Sequence, residues 1–546
     1  MFARVKKSGK YEYLQIVENK KIKGKTRQRV IATIGRMDQL QTKGRVETLV
    51  RSLSRFSEKA LLVLSGKSDA RANSKKIGPG LIFERLWRET GIDKAIKHAL
   101  SGRNFQFDVE RAIFLATLHR LIQPGSDRSC DKWKRDYKIK GMEGLELHHF
   151  YRAMAFLGEP LKDQDDALPF GPRCVKDKIE ESMFAINRDL FSSLDLVFFD
   201  TTSIYFEGNG GTDVGQYGHS KDHRPDLKQM VVGAVIDDKG RPICCEMWPG
   251  NTADVKTLVP LAKRLKKRFG IKRFCVVADR GMFSASTIQD LEKNNLFYIL
   301  GTRMRKVNRI KHDILMRGGR FKEVHPEQKS PKAPSPLKIK EVWQGGRRYV
   351  VCLNTRQARK DAATREAIIE SLKEKINHGP KSMIGNKGYR KYLRVSKGGI
   401  NLDKARIKEE ARYDGKWVLE TNSDFSSEEV ALRYKELWQV EHVFRDMKSI
   451  LETRPIYHKL DETIRGHVFC SFLALVLRKE LLRRLEEAGH DFEWSDIVQD
   501  LESLQETVIE ENGKRLAIRS ECLGTCGRVF QAVGVAVPPT IKEIPS

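Results

Sequence analysis

Three acidic residues stand where metal-dependent phosphoryl chemistry could be run. Asp200 closes the apolar run Leu196-Val197-Phe198-Phe199, and Asp279 closes Phe274-Cys275-Val276-Val277-Ala278. Both therefore sit at the end of a short buried strand, where an active-site edge would lie. The third acid, Glu441, lies on a helix announced by a capping box, Ser426 with Glu429, while Phe425 and Val430 are placed to staple its entry. At 3.6 residues per turn, Tyr434, Leu437, Trp438, Glu441, Lys448 and Leu451 share one face, so Glu441 is expected among apolar neighbours. A carboxylate placed there needs a cation. A salt bridge to Arg445 or Lys448 would supply one, and so would a metal. Hard divalent cations such as Mg²⁺ or Mn²⁺ take oxygen ligands. Two aspartates on neighbouring strands and a glutamate from a packed helix could hold two such ions about 3.5–4 Å apart. One ion would then activate an attacking hydroxyl and the other would stabilise a leaving 3′ oxygen.

The elements that must position these acids follow a definite order. Strands are expected at Leu196–Asp200, Met230–Ile236 and Pro242–Trp248, with Asp237 and Asp238 as turn formers between the last two. A helix with the basic run Lys263–Arg268 follows, then the strand ending at Asp279, a helix near Ser284–Asn294, and a strand at Leu296–Leu300. Three strands, then helix, strand, helix, strand, is the order of a ribonuclease H-like core, a mixed sheet flanked by helices. The fold class expected is thus multidomain α/β. The core spans 194–302 and resumes at 423–480, interrupted by a basic, β-rich insertion at 303–422 with its own helix near Ala362–Ile376. Ahead of it stand a basic hairpin module at 1–68, a polar linker running from Asp69 to Gly80, and a helical segment at 81–190 that could grip DNA or present a solvated charged face. A helical region is expected at 481–546.

Charge narrows the partner. Lys and Arg number 101 against 72 Asp and Glu, a net +29, and residues 301–350 alone hold 14 basic and 4 acidic residues. A polyanion is the natural partner for such a surface. With 40% hydrophobic residues the chain still buries cores, which excludes a disordered basic tail. The longest apolar run, Val468–Leu477, is well short of the roughly 18–20 residues a membrane span needs. No apolar leader follows Met1, so secretion is not expected. Nine cysteines, an odd and sparse set, fit a reducing compartment; Cys522 and Cys526 read as buried or half-buried thiols rather than zinc ligands.

The sequence resembles insertion-sequence transposases of the DDE class whose last motif is Tyr-x2-Arg-x3-Glu-x6-Lys. Tyr434, Glu441 and Lys448 match that spacing, with Leu437 at the arginine position and Arg433 and Arg445 nearby. Phe199-Asp200-Thr201-Thr202-Ser203 and Ala278-Asp279-Arg280-Gly281 are similar to the two aspartate motifs. Lys221 to Gln229 and Pro249-Gly250-Asn251-Thr252-Ala253-Asp254 are further phrases of such proteins. The resemblance covers roughly 195–475 strongly and extends to the N-terminal hairpin. It implies that Asp200, Asp279 and Glu441 are catalytic and bind two Mg²⁺ or Mn²⁺ ions. It also implies DNA contacts from His223, Arg224, Lys228, Arg280, Trp417, Tyr434, Trp438, Arg445 and Lys448. Trp417 would stack on a flipped base, though a core aromatic on a strand fits it as well, and Lys448 would hold a phosphate. Partners implied are double-stranded DNA, as element ends and target, and a second protomer in a synaptic complex, in the nucleoid of a prokaryotic cell. The function expected is end binding, cleavage and transfer of 3′ ends. A nuclease that does not join, or a catalytically dead DNA-binding descendant, are the alternatives.

Overall fold

The computed structural model describes residues 2–22, 25–41, 71–168, 171–187, 196–270, 275–282, 284–326, 334–378, 390–396, 399–511 and 514–544. The turn at Lys23 and Gly24, residues 42–68 of the expected N-terminal module, and Phe274 lie outside them.

The chain opens with three antiparallel strands, β1 (Phe2–Ser8), β2 (Tyr11–Ile22) and β3 (Lys25–Arg36), and a short α1 (Met37–Gln41). β2 and β3 make the hairpin read from their alternation; β1 on the other edge of β2 was not foreseen. Strand β4 (Arg71–Lys76) leads into helices α2 (Gly78–Glu89), α3 (Ile92–Ala99), α4 (Val109–Ile122), α5 (Asp127–Trp133), α6 (Leu147–Gly158) and α7 (Val175–Asn187). Then come β5 (Leu196–Tyr205), β6 (Gln229–Asp237), β7 (Pro242–Pro249), α8 (Leu258–Phe269), β8 (Cys275–Ala278), α9 (Ala285–Lys293) and β9 (Phe297–Gly301). The following stretch holds β10 (Lys322–His325), β11 (Leu337–Gln344), β12 (Arg347–Leu353), α10 (Thr355–His378), β13 (Leu393–Ser396), β14 (Gly399–Leu402), α11 (Lys404–Glu410) and β15 (Lys416–Thr421). The chain closes with α12 (Ser427–Lys435), α13 (Trp438–Arg445), α14 (Asp461–Glu487), α15 (Trp494–Ser503), β16 (Gln505–Glu511), β17 (Lys514–Arg519), α16 (Cys526–Val533) and β18 (Ile541–Ile544).

A nine-stranded mixed sheet in the order β10-β11-β12-β15-β9-β8-β5-β6-β7 is the centre of the molecule. β5 pairs antiparallel with β6 and parallel with β8, and β8 pairs parallel with β9. Alternate residues of each strand enter separate cores. Val197, Phe199, Val276 and Ala278 pack with Leu261 and Leu265 of α8 and Ile288 of α9. Phe198, Ala234, Val277 and Ile299 belong to the larger core with α4, α13 and the long, mostly buried α14. The sheet is therefore a layer between two helical layers. Among the described residues no helix is long and apolar enough to cross a membrane.

Three expectations are corrected here. The segment read as a linker forms β4, which pairs with β16 of the C-terminal region. Its sequence, Arg-Ala-Asn-Ser-Lys-Lys, carries no apolar alternation, so backbone pairing rather than patterning makes it a strand. Gly78-Pro79-Gly80 is buried at the start of α2, and a Cβ on Gly78 would strike the Leu501 carbonyl, so this glycine serves close packing rather than freedom. The region at 481–546, expected to be helical, contributes β16, β17 and β18 to the same four-stranded sheet as β4. Finally, β11, β12 and β15 of the expected insertion do not form their own sheet. β15 pairs with β9, and the central sheet runs on through them.

The basic run on α8 points both ways. Lys263, Lys266 and Lys267 are exposed, but Arg264 and Arg268 turn inward. Arg268 donates to Glu180 at 2.7 Å, Glu181 at 2.8 Å and Glu246 at 3.0 Å. Arg264 bridges Glu246 and Asp177, and Lys176 Nζ reaches Asp177 and the Cys245 carbonyl, each at 2.7 Å. This buried network ties α7 to β7 and α8.

Candidate active site

Asp200 does not end its strand as expected, because β5 runs on to Tyr205, but it lies just past the stretch paired with β8, and Asp279 follows the end of β8. Phe198 stands opposite Val277 in parallel register. Two residues further on, Asp200 and Asp279 therefore emerge side by side on the Phe198–Val277 face. Helix α13 lies on that face, against β5 and β6, with Val440 and Val443 in the same core. The helix that carries Glu441 thus packs on the face from which the two aspartates emerge.

Burial pushes the Asp200 carboxyl up to about 6; the Asp279 and Asp254 carboxylates add to the rise, while Lys221 and the Thr201 N–H oppose it. That N–H donates to Asp200 Oδ1 at 2.7 Å. Asp279 Oδ1 accepts from Tyr434 Oη at 2.9 Å, and burial and the Asp279 charge raise the phenol well above its ordinary value. Gly301 at the end of β9 permits this approach, because a Cβ there would meet the Tyr434 hydroxyl. Arg303 donates to the Arg280 carbonyl at 3.0 Å and the Gly281 carbonyl at 2.8 Å, which pins the turn following Asp279.

Glu441 departs from expectation. The capping box at Ser426 and Glu429 forms, but the helix it opens is not continuous. Bonds from Leu437 to Tyr434 and from Val440 to Leu437 tighten the chain between α12 and α13, and a π-turn at Asp446–Ile450 then widens it. The single apolar face is broken, and Glu441 is exposed rather than set among apolar side chains. It lines a cavity of about 580 Å³ together with Asp279, Arg280, Trp417 and Tyr434; Asp200 is not one of its walls. Arg305, Lys391 and Lys416 also line it.

The remaining expected contacts are scattered. Trp417 is half-buried on β15, opposite Cys352, with its indole N–H buried and without a hydrogen-bond partner. Trp438 is 53% exposed and meets the His442 ring edge-on. Arg445 and His223 are exposed, Arg224 forks onto Asp226, and Lys228 is half-buried. Lys448 donates to Asp222 at 2.8 Å rather than standing free. Sequence reasoning assigned no role to Asp254 and Lys221. Asp254 Oδ1 accepts from the Thr201 hydroxyl at 2.7 Å, and Lys221 Nζ lies 3.1 Å from Asp254 Oδ2 and 2.6 Å from the Thr201 carbonyl. Their position in two motif-like phrases was the available signal; nothing in spacing alone joins them.

Asp279 and Asp254 lie near enough to Asp200 for their charges to raise its carboxyl, and Lys221 is paired with Asp254. Carboxylate oxygens are the ligands a hard divalent cation takes, although the ligand atoms of these three acids do not all lie within 4.8 Å of one another. A second cluster does not suit a metal. Asp127, His458 and His467 bring ligand atoms within 4.8 Å of one another, but the Arg120 guanidinium reaches His467 Nδ1 at 2.9 Å and Asp127 Oδ1 at 3.4 Å. His467 Nε2 meets the Thr453 carbonyl at 3.2 Å.

Burial, with Arg120 beside it, lowers His467 to about 3, and burial lowers His119 to about 4, both from 6.5. These rings stay neutral in the fold while the unfolded chain takes up protons below pH 6.5. Stability is therefore complete above that pH and lost as pH falls toward the folded values, by up to about 1.4 kcal/mol per pH unit for each ring. Urea midpoints at pH 7 and pH 4.5 check this. The fall should be smaller in His467→Gln than in the wild type; equal falls would refute it.

A family model described as Transposase DDE domain matches residues 192–477, more than half of the chain. A second, described as IS1634 family transposase, N-terminal domain, matches residues 3–67. No curated protein matches. Among solved structures, the cryo-EM structure of a piggyBac transposase synaptic complex with hairpin DNA aligns over 78% of this chain and 79% of that one, at 11% identity and a TM-score of 0.36. A likeness that low carries no argument.

Proposed function

The chain belongs to the transposase DDE-domain family, as an insertion-sequence transposase with an IS1634-type N-terminal domain, and from that premise we propose how it acts. It binds the ends of its own element, cleaves phosphodiesters at the Asp200–Asp279–Glu441 edge and transfers 3′ ends to target DNA. The observation that carries this reading is the adjacent emergence of Asp200 and Asp279 on the face covered by the Glu441 helix. The order β7-β6-β5-β8-β9, with two antiparallel pairings followed by two parallel ones, supports reading the core as ribonuclease H-like.

Asp200, Asp279 and Glu441 would hold two Mg²⁺ or Mn²⁺ ions. Such ions supply a stronger nucleophile and a stabilised leaving oxygen. The protein's own groups do the rest. Tyr434 orients the Asp279 carboxylate, the Thr201 N–H orients that of Asp200, and Lys221 with Asp254 holds Thr201 in place beside it. Basic side chains around the cavity would carry the strand, and nonspecific binding should weaken steeply with salt. Synapsis of two ends requires at least two protomers, and such work places the protein with DNA in the nucleoid.

The test is incubation with labelled end DNA and a supercoiled plasmid in Mg²⁺. Joined products are expected. Ends that are cut but never joined would make the protein a nuclease, and bound but uncut ends would make it an inactive descendant.

Trp417 offers a sharper check. Stacked on an unpaired base, it contributes about 1–3 kcal/mol, so Trp417→Ala should melt normally, nick normally and stall afterwards, with partial recovery in Trp417→Phe. A Trp417→Ala protein that melts early and nicks poorly would make it a core aromatic only.

A further inference from the structure

The loop between β5 and β6 carries two neighbouring charges that face different parts of the site. The Lys221 N–H donates to Ser203 Oγ at 2.8 Å, and its Nζ is held by Thr201 and Asp254 beside the acids. Asp222 turns the other way. Lys448 Nζ, at 2.8 Å, and the Arg454 guanidinium both converge on its Oδ1. The Asp222 side chain is only 7% exposed, and its Oδ2 is buried with no hydrogen-bond partner. The next residue, His223, has a φ of 57°, a left-handed conformation that a side chain makes costly.

One carboxylate oxygen serving two cations, with its twin left bare, is an incomplete match. A phosphodiester carries the same single charge and could offer one non-bridging oxygen to each cation, which Asp222, with Oδ2 turned away from both, does not. The Arg454 side of the site, at 27% exposure, is its more open side. Arg454 and Arg224 also both lie over the Tyr205 ring, at 5.8 and 5.5 Å, which continues the cationic surface outward.

We propose that Asp222 is an internal stand-in for a DNA phosphate, displaced from Lys448 and Arg454 when a strand enters the active site. This rests on the transposase reading and deepens it. The free protein keeps the cation pair assembled and half neutralised, and the strand that replaces Asp222 releases the loop whose other charge, Lys221, is paired with Asp254 near Asp200.

The test is binding of a random-sequence duplex by the full chain, without divalent metal, across a range of salt. Asp222→Asn should bind more tightly than wild type at every salt concentration, the gain should shrink when Lys448→Gln is added, and it should vanish when Lys448→Gln and Arg454→Gln are both added. Arg454→Gln, which leaves the Lys448–Asp222 pair intact, should flatten the log K against log salt slope by about 0.9, the equivalent of one phosphate contact. Equal or weaker binding by a normally melting Asp222→Asn protein overturns the proposal, and so does an unchanged slope in Arg454→Gln. Should Asp222→Asn fail to fold, the Arg454→Gln slope decides. Wild-type protein that does not bind DNA at all would sink the transposase reading itself, and this proposal with it.

Discussion

Asp279→Asn is expected to stop cleavage of end DNA while leaving the protein folded and able to hold that DNA. Asparagine keeps an oxygen for the Tyr434 hydroxyl, so the local hydrogen bond survives and only the charge is lost. Losing a partner that merely supports a ligand costs metal sites about 10–100-fold. Losing a ligand itself should cost at least about 100-fold in rate. Asp200→Asn should be equally inactive but more stable than wild type at pH 7, because it removes a carboxylate that burial and the Asp279 and Asp254 charges already press toward the neutral form. The sign is definite: an acid raised in the fold opposes folding in full above the raised value, and the penalty shrinks as pH falls and is gone below its ordinary pKa. Glu441→Gln should match both in rate. Paired rate and melting measurements on the three variants check this, and near-wild-type cleavage by Glu441→Gln would remove that residue from the site.

The largest loss of stability is expected from Arg268→Met. Its side chain is fully buried and meets Asp177, Glu180, Glu181 and Glu246; Arg264 and Lys176 share some of these acids but are fewer than the carboxylates they would have to serve. Removing one member of a buried ion network leaves uncompensated charge, at a cost of about 3–5 kcal/mol. Because α7, β7 and α8 meet here, the sheet edge and the helical segment should loosen together. Urea unfolding measures it. A change below about 1 kcal/mol would mean that water or relaxation already compensates these acids.

These two results divide what the sequence makes legible from what it hides. The buried strands that carry Asp200 and lead to Asp279 could be read because such strands begin as short apolar runs, and the strand order around them constrains topology; the true end of β5 could not, since polar Thr201, Thr202 and Ser203 continue its pairing to Tyr205. The capping box at Ser426 and Glu429 is local chemistry and could be read for the same reason. Arg264 and Arg268 could not be told from Lys263, Lys266 and Lys267, since their acids come from α7 and β7. The exposure of Glu441 was hidden because a few i→i+3 bonds and one π-turn shift a helical face without any Gly or Pro to announce it. Strand β4 was hidden because its pairing partner lies more than 400 residues away. The meeting of Lys221 with Asp254 and of Asp222 with Lys448 likewise depends on long-range closure.

The central claim is that Asp200, Asp279 and Glu441 act as shared ligands for divalent ions at one sheet edge. Mn²⁺ binding to the complex with end DNA, followed by the paramagnetic signal of free Mn²⁺, tests it most directly. Two ions per site are expected for the wild type, with at least one lost in Asp200→Asn and in Asp279→Asn. Unchanged stoichiometry and affinity in both variants would contradict the account.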